Sequence, residues 1–186
     1  MRYLGTVALT TDRLVLRRYR KDDAQQIYQN YGSDPKVNRY ITWKPCQTLE
    51  GTKDFIEMHL QQYRSNQAFY GWAITFNDEV IGSIGTYHFD EENESCELGY
   101  NIGSNYWNQG IATEAVNKVL DFLFQRVGLH KVYASFHEKN TASGRVLEKV
   151  GMIYEGTAKE AIKESDGSYA DLIYHCIFQS DWANHS

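Results

Sequence analysis

Leu14, Leu16 and Tyr19 alternate with polar and basic positions along residues 12–20, a period of two that predicts a strand with one buried face. Behind it, Ala24, Ile27, Tyr28 and Tyr31 fall at helical spacing after an Asp pair and stop at Gly32. That predicts a helix over 21–32. Residues 33–45 carry no period, and Pro35 and Pro45 punctuate them, so irregular chain is expected there. Phe55, Ile56, Leu60 and Tyr63 then mark one face of a second helix over 48–65, with Thr48 as its cap.

Strand patterns follow. Residues 69–76 and 79–89 flank Asn77-Asp78, a pair suited to a tight hairpin turn, and 95–103 lies beyond the acidic turn DEENE. The strongest helical pattern is at 110–128, where Ile111, Ala115, Val119, Phe122 and Leu123 recur and Gly128 ends the run. A strand at 130–137, a short helix at 140–151 between Asn140 and Gly151, and a closing hairpin around Asp166-Gly167 complete the chain. The order predicts an α/β fold with a mixed sheet. The crossover through the long helix makes the strands at 95–103 and 130–137 parallel, and ligands favour the carboxyl ends of such strands.

Composition narrows the possibilities. A length of 186 residues fits a single domain over 1–186, and 42% hydrophobic residues suffice for a core. Fourteen tyrosines and four tryptophans are enough to line a groove as well. The net charge of -5 disfavours a nucleic-acid partner, leaves room for a local basic patch, and favours basic acceptors. Cys46, Cys96 and Cys176 are far apart and odd in number, which fits reduced thiols rather than disulfides or a metal site. No leader-like apolar segment and no membrane-length apolar run is read, so a cytoplasmic protein without a membrane partner is expected.

The stretch GSNYWNQGIAT (103–113) passes from strand to helix through a small, uncharged turn. A helix start leaves N–H groups free and its dipole end positive, so such a turn can take a phosphate. Gly110 admits close backbone approach, Ala112 keeps the first turn small, and Thr113 offers a hydroxyl. An ordinary helix start explains the same residues. The pattern is neither GxGxxG nor GxxxxGK[ST], which argues against dinucleotide and Walker-type sites.

In order along the chain, "TDRLVLRRYRKDDA", "DPKVNRYITW", "VIGSIG", "CELGYNIG", "YWNQGIATEAV", "GLHKVYASFHEKNTASGRVLEKVGM" and "DLIYHCI" resemble the GNAT acyltransferases, and within them the RimJ/RimL type, which acetylates N-termini of ribosomal proteins. The family pattern [R/Q]-x-x-G-x-[G/A] maps onto Trp107 to Ala112, with Trp107 in place of Arg or Gln. The resemblance implies a mixed, mostly antiparallel sheet of about seven strands with about four helices and a splayed parallel pair. It implies acetyl-CoA as co-substrate and no metal. Gln109, Gly110, Ile111, Ala112 and Thr113 would hold the pyrophosphate. Leu98, Tyr100 and Ile102 would pair with the pantetheine arm as an added strand would, and Asn140 and Ser143 would also meet the cofactor.

Amine attack on a thioester needs a base, an oxyanion donor and a proton for the thiolate. Glu97 is the candidate base, opposite in parity to Leu98 and Tyr100; a solvent-facing carboxylate is the alternative. Ser143 matches the family's N-x-x-S and is a candidate near the sulfur. Many family members place a Tyr acid where this chain has Leu147. His130 and His137 are read as packing or surface residues, Cys96 as a small buried residue, and the arginines of 13–20 as a solvated face. Tyr40, Trp43, Phe69, Tyr70, Trp72 and Tyr87 can line an acceptor groove or fill core. The expected acceptor is a protein N-terminus. A small amine (polyamine, aminoglycoside or amino acid) or a non-catalytic acyl-CoA sensor are the alternatives, and a homo-oligomer is left open.

Overall fold

The computed structural model describes residues 1–41 and 48–183. Trp43, Pro45 and Cys46 lie outside them. The chain starts with short strands β1 (Leu9–Thr10) and β2 (Leu14–Arg17), joined by a turn closed by the Leu14 carbonyl and the Thr11 hydroxyl. A composite helix follows: a 3-10 turn at Lys21–Asp23, α1 (Ala24–Ile27), and a π-helical stretch at Tyr28–Gly32. Next come α2 (Pro35–Asn38), capped by the Asp34 side chain, and α3 (Leu49–Ser65), capped by Thr48 Oγ1 on the Gly51 N–H at 3.0 Å. The meander β3 (Gly71–Phe76), β4 (Glu79–Asp90) and β5 (Ser95–Ile102) leads into α4 (Ile111–Asp121), which continues as a π-helical stretch to Val127. Then come β6 (Lys131–His137), α5 (Thr141–Lys149), the hairpin β7 (Ile153–Lys163) and β8 (Tyr169–Phe178), and a final turn α6 (Gln179–Trp182).

Among the described residues the sheet has eight strands in the order β1-β2-β3-β4-β5-β6-β8-β7. Every neighbouring pair is antiparallel except β5 and β6. Apolar residues cover both faces. On one, Leu14, Leu16, Trp72, Ile74, Ile84 and Leu98 pack against Ile111, Ala115, Val119, Phe122 and Leu123 of the long helix. On the other, Ala73 and Val80 pack against Tyr19, Ile27, Tyr31 and Ile56. Each fully buried Leu, Ile or Phe contributes about 1.5–3 kcal/mol. This double cover explains why β3 is buried along nearly its whole length rather than alternating.

The parallel pair is short. Ser95, Cys96 and Glu97 face Lys131, Val132 and Tyr133, and there the pairing ends. Beyond it β5 stays on β4 as far as Ile102, while β6 runs on beside β8 to His137. The strands therefore part from Leu98 onward. Gly144 lets α5 sit close on β6, since a Cβ there would come within 2.9 Å of the Phe136 ring.

The elements read from the pattern form where expected, with three additions: β1, the turn at 35–38 and the closing turn α6. The sheet gains β1, too short at two residues to show a period. Residues 35–38, expected to be irregular, form a helical turn, because Pro35 sits in its first turn, where a missing N–H costs nothing. Arg13, Arg18 and Arg20 are exposed, as expected of a solvated face, and Arg17 is half-buried, yet Arg13, Arg17 and Arg18 carry partners in the fold. Arg17 forks onto Asp23 at 2.7 and 2.8 Å, Arg18 donates to the Thr6 carbonyl at 2.7 Å, and Arg13 reaches Glu114.

Candidate active site

The parting of β5 and β6 opens a cavity of about 540 Å³, continued by a second of about 50 Å³ between the two strands. Tyr100, Asn140 and Ser143 line both, as do Tyr40 and Ile41. Gly110, Ile111, Ala112 and Thr113 line the larger one at the head of α4. Gly110 takes φ +76°, a left-handed conformation that glycine adopts without a Cβ penalty. The Gly110 carbonyl receives the Glu114 N–H at 3.0 Å, while no acceptor among the described residues meets the N–H groups of Ile111, Ala112 and Thr113. Lys36, Arg39, Lys139, Arg145 and Lys149 ring the cavity, and among the described residues no carboxylate lines it. On a chain of net charge -5 this is a local basic patch, the kind of setting that suits an anion.

The other sequence-predicted cofactor residues divide. Ile102 lines the large cavity and Leu98 the small one. Gln109 lines neither: its carbonyl accepts from Arg13 at 3.0 Å and its side chain turns back to the Asn105 carbonyl at 3.2 Å. Asn140 caps α5, its Oδ1 accepting the Ser143 N–H at 3.3 Å. Trp107 fixes the turn by donating its indole N–H to the Ile102 carbonyl at 2.7 Å, with the ring left half exposed.

Glu97 points to the face opposite α4 and α5, as its parity with buried Cys96 and Leu98 requires. Ser135 on β6 donates to its Oε1 at 2.5 Å, and Nδ1 of His88 lies 3.0 Å from Oε2. Neither partner is evident in the sequence. Ser135 shares its face with Tyr133, the register partner of Glu97. His88 sits at the irregularity between Tyr87 and Asp90 with φ +45°, uncommon for a residue with a side chain.

On the α5 side, the Tyr100 hydroxyl lies 3.0 Å from Ser143 Oγ. Burial pushes the Tyr100 hydroxyl up to about 12, against a smaller opposite pull from Ser143, so it holds its proton at neutral pH. Leu147 is fully buried in the core, so a hydrocarbon fills the position of the family's Tyr acid. The side chain of Tyr100 is the hydroxyl that the sequence reading, which used only its backbone, overlooked.

The remaining candidates fall elsewhere. Tyr70 and Trp72 are core, and Phe69 packs in an aromatic group with His59 and Tyr63. Tyr40 lies on the cavity wall against His137, ring centroids 5.1 Å apart. His137 is buried and accepts the Lys139 N–H on Nδ1, leaving Nε2 to face Glu164 at 2.6 Å. His130 packs beside Phe178. Cys96 is buried, and burial pushes its thiol up, away from a reactive thiolate. Among the described residues no group of three or more His, Cys, Asp or Glu is arranged to hold a metal, and no helix is long and apolar enough to cross a membrane.

A parallel pair that parts beside a helix head, with N–H groups unpartnered among the described residues and basic side chains on one side and a held carboxylate on the other, fits an acyl-CoA-dependent transferase. The chain belongs to the GNAT family: the model of the acetyltransferase (GNAT) domain matches residues 13–153. It is thus an acetyl-CoA-dependent N-acetyltransferase. It is similar to the uncharacterized N-acetyltransferase p20 of Bacillus licheniformis, 31% identical over 94% of this chain and 98% of that protein. It is also similar to the [ribosomal protein uS5]-alanine N-acetyltransferase of Escherichia coli, 27% identical over 95% of this chain and 93% of the relative. A GNAT-family acetyltransferase structure from Bacillus anthracis superposes with a TM-score of 0.81 at 26% identity, over 94% and 99% of the two chains.

Proposed function

We propose that this enzyme acetylates the N-terminal α-amine of a protein, with ribosomal proteins as the acceptor class. The observation that carries acetyl transfer to an amine is the pairing of functions across one gap. Glu97 stands on one face of the parted sheet, and the Tyr100–Ser143 hydroxyl pair on the other. The relative named for uS5-alanine acetylation, alike over nearly its whole length, supports the acceptor class. The net charge of -5 suits a basic ribosomal partner.

Acetyl-CoA supplies an already activated thioester, so no acyl-enzyme is required. The N–H groups of Ile111 to Thr113 and the surrounding lysines and arginines would hold its pyrophosphate. The unpaired edge of β5 from Leu98 to Ile102 would hold the pantetheine arm. Glu97 accepts the proton of the incoming ammonium, directly or through one water. Ser135 and His88 hold its carboxylate in place, so little reorganisation is needed. The Tyr100 and Ser143 hydroxyls share a hydrogen bond in which either can donate, and both residues line the cavity. The two together take over the donor function that Leu147 cannot supply.

The test is thiol release from acetyl-CoA with peptides that copy ribosomal-protein N-termini, beside spermidine, an aminoglycoside and free amino acids. Peptide turnover at a higher kcat/KM than every small amine is expected. Release only with small amines refutes the acceptor class, and binding without any release refutes catalysis.

A further inference from the structure

We propose that Arg13 is a positioning residue for acetyl-CoA: it fixes the orientation of the 108–113 turn from behind, through Glu114 and the Gln109 carbonyl. The inference rests on acetyl-CoA lying in the cavity at the head of α4.

Arg13 lies almost a hundred residues before the turn, between β1 and β2. Its Nε donates to Glu114 Oε2 at 2.7 Å, its Nη2 lies 2.5 Å from the same oxygen, and its Nη1 donates to the Gln109 carbonyl at 3.0 Å. Thr11 Oγ1 donates to the other Glu114 oxygen at 2.5 Å. The β1–β2 turn does not need this guanidinium, because Thr11 and Leu14 already close it through backbone and hydroxyl bonds. The side chain is spent on the head of α4.

Two consequences follow. A trans peptide directs its C=O and N–H to opposite sides. With the Gln109 carbonyl held toward Arg13, the N–H of Gly110 is turned away from Arg13. Asn108 and Gly110 both have positive φ, at 60° and 76°, so this turn can adopt other peptide orientations at modest cost. The clamp selects one of them. The second consequence is electrostatic. Glu114 lies in the first turn of α4, where a bare carboxylate would repel a phosphate. Arg13 pairs with that charge, and neither Arg13 nor Glu114 lines the cavity. Burial pushes the Glu114 carboxyl up, but the bonds from Thr11 and Arg13 outweigh it and hold the group below its ordinary value.

The experiment uses Arg13→Met and Arg13→Lys. Arg13→Lys keeps the charge but offers no planar fork to span Glu114 and the Gln109 carbonyl together. Calorimetry with CoA reads affinity directly. The ratio of kcat/KM for acetyl-CoA to that for S-acetylpantetheine, which lacks the pyrophosphate, reads where the loss falls. Arg13→Met should weaken CoA binding about tenfold and lower the ratio by a similar factor, the size of a lost charge-assisted hydrogen bond. Arg13→Lys should also lose affinity. CoA affinity within about twofold of wild type in both variants, or an equal loss for both donors, overturns the proposal. If Arg13→Met does not fold, Arg13→Lys alone decides by the same two readouts. A wild-type affinity unmoved by Gly110→Glu would overturn the cavity assignment itself, and the Arg13 proposal with it.

Discussion

Gly110 separates two contributions to the anion cradle. Its φ of 76° and ψ of 1° place any residue with a Cβ in the left-handed region, at a cost of about 1–2 kcal/mol. A Cβ there meets nothing closer than the Arg13 guanidinium at 3.6 Å, so Gly110→Ala adds strain without a clash. Gly110→Glu adds the same strain and a negative charge. At a separation of roughly 5 Å and an effective dielectric of about 20, each unit of phosphate charge repels by about 3 kcal/mol; Arg13 beside the new side chain offsets part of this, and the pyrophosphate's second charge leaves a net repulsion of about 3 kcal/mol. That corresponds to more than a hundredfold in Kd at about 1.4 kcal/mol per decade. The expected result in calorimetry with acetyl-CoA is a loss of less than about tenfold for Gly110→Ala and more than about a hundredfold for Gly110→Glu. Near-ultraviolet circular dichroism checks that both variants fold. A folded Gly110→Glu protein that binds within about threefold of wild type would refute the placement of the pyrophosphate.

Glu97→Gln should lower kcat by a factor of about 10² to 10⁴, the usual worth of a general base, with CoA affinity unchanged by calorimetry; an unaltered rate near neutral pH would remove Glu97 as base. Tyr100→Phe and Ser143→Ala should each slow turnover, and the double variant should be little slower than the slower single one, since the two hydroxyls act as one unit. Leu147→Tyr should not supply an acid but should destabilise the fold by about 1–3 kcal/mol, seen in urea unfolding, because Leu147 is fully buried and a larger side chain overpacks the core. His59 is buried, and desolvation lowers it to about 4 from an ordinary 6.5. Its neutral form contributes stability that is full above about pH 6.5 and is lost as pH falls through 4, up to about 3 kcal/mol. His59→Gln should flatten that part of the stability profile in denaturant titrations at successive pH values.

Where local chemistry decides structure, the sequence was readable. The periods of β2, α3 and α4, the Asn77-Asp78 turn and the Thr48 and Asn140 caps each depend on neighbours within a few residues. So does the opposite parity of Glu97 and Leu98, which follows from the pleat. The features that were missed are set by long-range contact. Ser135 meets Glu97 only because β5 and β6 run parallel in a particular register. Arg13 is exposed, as read, but its bonds to Gln109 and Glu114 were not legible because these partners are about a hundred positions away. The Tyr100–Ser143 pair depends on how closely α5 packs beside β5, which no spacing in either segment records. The deep burial of Leu147 follows the helical period, but only the three-dimensional neighbourhood identifies Tyr100 as the nearby hydroxyl.

The central claim concerns which amine receives the acetyl group. The most direct measurement compares one ribosomal-type peptide with a free N-terminus and the same peptide with that amine blocked, locating the acetyl group by fragment mass spectrometry. Thiol release with the free peptide alone, and acetyl found on the α-amine, is the predicted result. Equal release from the blocked peptide, or acetyl found on a lysine side chain, would contradict it.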